Sequence, residues 1–237
     1  MCALALTVAL ACIAAAHARA ADGIPVCVSP FDQFAPVSTP DGAGGMYVAW
    51  LDQRLGYNTD VYVQRVSATG VPLWTANGVA LCTATGTQGS IRIVSDGAGG
   101  AIVAWHDQRS GVYDIYARRV NSAGVAQWTA NGVAICTATG VQWTPAIAPD
   151  NSGGAIIAWQ DQRSGAYDIY AQRVNASGVV QWTSNGVAIC SSTGDQQSVA
   201  ALADGAGGAF LVWSDARAGN YDVYAQLVNS GGVAQWT

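Results

Sequence analysis

The chain has 237 residues, 51% hydrophobic and only 11% charged, with a formal net charge of −5. Every cation is an arginine (10) and every anion an aspartate (15). That excludes Schiff-base lysines, phosphate-loop lysines and a glutamate general acid, and the acidic balance argues against nucleic acid or anionic membrane as partner.

Residues 1–20 are apolar and rich in small side chains, and they close on Ala18-Arg19-Ala20. This predicts a cleaved signal peptide and a secreted, cell-surface or periplasmic location, although no positive charge precedes the apolar run. The run is shorter than the ~20 residues a spanning helix needs, so no membrane span is expected after cleavage.

From 21 to 237 the sequence repeats, which organises the rest of the reading. Trp50, Trp105, Trp159 and Trp213 each precede an Asp-x-Arg triplet, then a segment of the type Asp168-Ile-Tyr-Ala-Gln-Arg-Val174, then a second tryptophan at 74, 128, 182 or 236. Asn77, Asn131 and Asn185 open an N-G-V-A-x-C element, and Asp22-Gly-Ile-Pro-Val-Cys27 is the same element at the start. The repeats run over about 22–76, 77–130, 131–184 and 185–237.

Each repeat reads as four short strands between turn signals. Strand a is typified by 90–95 and 198–203, and strand b by 101–106 after a D-G-A-G-G hairpin. Strand c is the D-I-Y-A-Q-R-V segment, and strand d covers 132–137 and its equivalents. No window has a helical period. The pattern predicts an all-β fold: a β-propeller of four four-stranded antiparallel blades, closed by the N-terminal strand at 22–28 or forming the first part of a larger propeller.

The W-x-D-x-R…D-I-Y-A-Q-R-V blade resembles the repeats of bacterial exported and cell-surface propeller proteins. The resemblance covers all four repeats. It implies the fold and export but no reaction.

Residues common to all blades read as architecture. The pairs Asp52/Arg54, Asp107/Arg109, Asp161/Arg163 and Asp215/Arg217 are expected to form bidentate charge clusters at the b–c corners. Cys27, Cys82, Cys136 and Cys190 sit one per repeat, too far apart for disulfides, and are expected as buried free thiols. No cysteine or histidine pair has metal-ligand spacing, so neither metal nor cofactor is predicted.

Function is sought where the repeats differ. Gln33, Gln88, Gln142 and Gln196 each follow a strand-d cysteine by six residues, and the next residue varies: Phe34, Gly89, Trp143, Gln197. The residue after the strand-b tryptophan varies likewise: Leu51, His106, Gln160, Ser214. Both sets are expected at one channel mouth, where Gln33, Phe34, Gln88, His106, Gln142, Trp143, Gln160, Gln196 and Gln197 would form a ligand-binding surface suited to a glycan or protein partner. The leading expectation is a non-enzymatic binding propeller with no catalytic residues. The alternatives are a structural or display module of a larger surface protein, or an aspartate-based polysaccharide hydrolase or lyase using Asp32 or Asp195, the aspartates outside the repeat set.

Overall fold

The computed structural model describes residues 22–237, so the expected signal peptide lies outside the described residues. Among the described residues fifteen strands form four antiparallel sheets. Blade 1 contains β1 (Gln33–Pro40), β2 (Met46–Asp52), β3 (Asp60–Val66) and β4 (Val79–Cys82). Blade 2 contains β5 (Gln88–Ser95), β6 (Ala101–Asp107), β7 (Asp114–Val120) and β8 (Val133–Cys136). Blade 3 contains β9 (Gln142–Pro149), β10 (Ala155–Asp161), β11 (Asp168–Val174) and β12 (Val187–Cys190). Blade 4 contains β13 (Gln196–Ala203), β14 (Ala209–Asp215) and β15 (Asp222–Val228). Among the described residues no helix is long and apolar enough to cross a membrane.

The D-G-A-G-G hairpins are closed by their own aspartate. Asp41 Oδ1 accepts the Ala43 and Gly45 amides at 2.8 Å each, while its Oδ2 accepts Arg65 Nε at 2.9 Å from β3. A Cβ on Gly45 would stand 2.2 Å from the Val66 carbonyl oxygen, which is why a second glycine closes the turn. Strand a begins two residues before the sequence pattern suggests, because a bulge interrupts it. The register shifts between Gly89 and Arg92 around Ser90, whose φ is 47°, and the other three blades break at the equivalent place.

Neighbouring blades are tied at both ends. The Trp74, Trp128 and Trp182 indoles donate to carbonyls of the following blade, at Ser122, Ala176 and Ser230. At the opposite end the amides of Gln88, Gln142 and Gln196 donate to the carbonyls of Thr59, Tyr113 and Tyr167 in the preceding blade. Blades 2 and 3 are therefore covered on both faces, and every residue of β6 and β10 is buried.

Closure by the first segment is corrected by the structure. Residues 23–28 lie against blade 1, where Val26 and Cys27 pack on Val48, Trp50, Tyr62 and Val66. The Val28 amide donates to Asn77 Oδ1 at 2.9 Å, just as Thr83 donates to Asn131 Oδ1 one blade on. The segment thus occupies the place of a strand d preceding blade 1, not that of blade 4. Among the described residues β15 pairs only with β14, and the four sheets form an open arc.

Candidate functional site

The start of strand a, the end of strand b and the start of strand c lie at one end of each blade, as the pairs Gln88↔Asp107 and Asp107↔Asp114 show. At this corner the arginine of each Asp-x-Arg triplet is held on several sides. Arg109 donates Nε and Nη2 to Asp107, at 2.9 and 2.5 Å, and its Nη2 also reaches the Cys82 sulfur and the Asn131 carbonyl. Its guanidinium lies 3.8 Å over the Tyr116 ring. Arg54 and Arg163 repeat these contacts with Asp52 and Asp161, and Arg217 repeats the carboxylate, thiol and tyrosine contacts with Asp215, Cys190 and Tyr224.

The second oxygen of each aspartate is also occupied: the Trp105 indole donates to Asp107 Oδ2 at 2.8 Å. Burial opposes ionisation of Asp107, but the Arg109 and Trp105 hydrogen bonds outweigh it and hold its carboxyl below the usual range. These carboxylates are neutralised and enclosed, with no free lone pair for substrate. Cys82, Cys136 and Cys190 are buried free thiols and Cys27 is half-buried. Burial pushes the Cys82 and Cys136 thiols up to about 12, which leaves them unreactive.

The four glutamines hold loops. Gln88, Gln142 and Gln196 are fully buried, and their Nε2 groups donate back to carbonyls of the loop joining strand d to strand a, at Gly86, Thr139 and Gly194 among others. Gln33, half-buried, donates to the Phe31 carbonyl at 2.9 Å. Gln88, Gln142 and Gln196 do not face outward, whereas Gln33 lines a cavity on blade 1.

The variable positions behave differently. They are register partners across strands a and b: Phe34↔Leu51, Gly89↔His106, Trp143↔Gln160 and Gln197↔Ser214. Between blades 2 and 3 the rings of His106, Tyr113 and Trp143 form a triangle with centroid separations of 4.5 to 4.6 Å. Burial holds His106 down to about 4, so its imidazole is neutral near pH 7, and its Nδ1 has no hydrogen-bond partner.

Continuing along this rim, Gln160 Oε1 accepts the Thr144 hydroxyl and the Ser198 amide. Asp195 then accepts the Tyr167 amide at 3.0 Å and Gln197 Nε2 at 3.4 Å. Phe34 is not part of this surface; it lines a cavity of about 340 Å³ with Ile24, Pro25, Val26 and Trp50 on blade 1. Tyr113 escaped the sequence reading because Tyr167 and Tyr221 share its place in the repeat, so nothing marked it as special.

No protein-family profile matches the chain, and no curated protein is similar to it in sequence. Solved structures do match. An endo-arabinase from Bacteroides thetaiotaomicron aligns with a TM-score of 0.51 at 15% identity, over 83% of this chain and 75% of that one. A thermostable family-43 glycoside hydrolase aligns with a TM-score of 0.52 at 10% identity, over 87% and 75%. The fold is propeller-like.

A provisionally assigned TolB of Agrobacterium tumefaciens, at 20% identity and a TM-score of 0.46, covers 84% of this chain, which spans 62% of its length. The sequence resemblance to exported repeat proteins gains support only at the level of a propeller-like fold, from the endo-arabinase and the family-43 hydrolase. The expectation of a non-enzymatic binding propeller is corrected by the endo-arabinase and the family-43 glycoside hydrolase, both of which are described as enzymes.

Proposed function

We propose that this chain is part of an exported, glycan-active propeller enzyme that cleaves glycosidic bonds along the rim of blades 2 to 4. The observation that carries this reading is the placement of one aspartate outside the repeat set, Asp195, on the same rim as the His106–Tyr113–Trp143 cluster. The glycan class is supported by the endo-arabinase and family-43 hydrolase that share the fold. Export is supported by the signal-like pattern of residues 1–20.

The residues divide the work by their chemistry. Trp143 and Tyr113 offer flat apolar faces against which a sugar ring packs. Gln197 keeps its Oε1 for the sugar hydroxyls, whereas Gln160 is buried and braces Thr144 and Ser198 beneath them. Asp195 differs from the triplet aspartates because no arginine neutralises it, so its carboxylate is available to take a proton from the attacking water, while the departing sugar oxygen takes its proton from solvent.

The test is reducing-sugar release from arabinan, xylan and mannan by the full chain. Turnover of at least one polymer is expected, with Asp195→Asn slowing it ~100-fold or more and Trp143→Ala raising KM. Absence of release from all three, or an Asp195→Asn variant as fast as the parent, would refute the reading.

A further inference from the structure

Blade 1 departs from the other blades at two places on the mouth end, and the departures meet. The first is in the loop before strand a. Where blades 2, 3 and 4 have Gly86, Gly140 and Gly194 with φ of 85°, 83° and 81°, blade 1 has Phe31 with φ of 65°. A bulky side chain in this left-handed region is strained, and strain of this kind gathers where a protein binds something.

The glycine positions also have no room for a side chain. A Cβ on Gly86 or Gly140 would stand 2.8 Å from backbone of Gln108 or Gln162, in the loop joining strands b and c.

The second departure makes that room. The b–c loop of blade 1 carries one extra residue, since Asp60 follows Asp52 by eight positions while Asp114 follows Asp107 by seven. The result is a cavity of about 400 Å³ lined by Phe31, Asp32, Gln53, Gly56 and Tyr57. Phe31 is 72% exposed and Tyr57 101%, so both rings stand free in solvent. Their backbones are nonetheless anchored: Gln33 Nε2 donates to the Phe31 carbonyl, and Gln53 Nε2 donates to the Tyr57 carbonyl at 3.2 Å. Gln53 Oε1 and the exposed Asp32 carboxylate have no partner among the described residues and are left as acceptors for hydroxyl groups.

We infer that this cavity is a second glycan-binding subsite, distinct from the rim, that holds a stretch of an uncharged polysaccharide. The two rings take the apolar faces of the sugars, and Asp32 and Gln53 accept their hydroxyls. The inference rests on the glycan reading of the rim, and its test separates the two.

Xylohexaose and arabinohexaose are titrated calorimetrically into the full chain carrying Trp143→Ala, which removes the rim platform. Saturable binding of at least one is expected, weakened about fivefold or more by Phe31→Gly and by Tyr57→Ala. Phe31→Gly restores the residue that the other blades use, so its fold is not at risk and its Tm should rise. No binding of either hexasaccharide, or an affinity unchanged by Phe31→Gly and by Tyr57→Ala, overturns the subsite even if the rim cleaves polymers. Binding that is lost in Phe31→Gly, in a chain that cleaves nothing, upholds the subsite and removes the enzyme reading alone.

Discussion

Gly89 and His106 face each other across strands β5 and β6, and a Cβ on Gly89 would stand 2.3 Å from His106 Nε2. The missing side chain at 89 is thus the space the imidazole occupies. Gly89→Ala should lower stability by about 1–3 kcal/mol through overpacking. The loss should largely vanish in the double variant Gly89→Ala with His106→Ser, measured by denaturant unfolding. An additive double variant would show that the two residues are not coupled.

The pH dependence of His106 follows from its burial. Its folded pKa of about 4 lies below the ~6.5 of an unfolded histidine, so the unfolded chain binds the extra proton first. Its contribution to stability is complete above about pH 6.5 and is lost as pH falls towards 4. Unfolding midpoints between pH 4 and 7 should therefore have a shallower acid slope in His106→Gln than in the parent.

Asp60 has the opposite sign. In blades 2 and 3 the corresponding Asp114 and Asp168 accept a serine hydroxyl at 2.6 Å, from Ser110 and Ser164. Blade 1 has Leu55 at the serine position, and burial together with the nearby Asp52 charge pushes Asp60 up to about 6. The folded state then holds the proton more tightly than the unfolded one, and stability falls as pH rises from about 4 to 6. Asp60→Asn should raise Tm at pH 7 and leave it nearly unchanged at pH 4; a fall in Tm at pH 7 would contradict this.

The charge clusters predict unequal losses along the arc. Asp161→Asn leaves the Arg163 guanidinium without its counter-ion in a covered corner and should cost ~3–5 kcal/mol. Asp215→Asn should cost clearly less, because the Arg217 side chain is 31% exposed against 21% for Arg163. Guanidinium midpoints of the two variants decide the order.

Strand c is legible residue for residue, because its opening aspartate, the tyrosine two residues on and the closing valine mark both ends; Asp114–Val120 and Asp168–Val174 fall where the pattern puts them. Strand a is legible only from its bulge onwards, since a left-handed serine or threonine such as Ser90 or Thr144 breaks the alternation that reveals a strand. The pairing of His106 with Trp143 could be anticipated from their departure from the repeat. The burial of Gln88, Gln142 and Gln196 could not, because invariance reads the same for a binding amide and for a loop brace. Phe31 and Tyr57 were missed although a signal existed: the column of Gly86, Gly140 and Gly194 flags Phe31 as the odd member.

The sequence by itself determined the unit: a repeat of about 54 residues whose aspartates, glycines and tryptophans specify turns, corners and blade contacts through interactions local to one blade or its neighbour. Only the tertiary structure decided what covers each unit. Ile102 and Ile156 are fully buried, whereas Phe210 at the same place in β14 is 36% exposed, because a residue's burial depends on whether another blade lies against it. The lodging of residues 23–28 on blade 1 has the same cause. A strand-d element carries the chemistry to pair with any blade of its kind, and spatial proximity, which no repeat pattern encodes, selects which one.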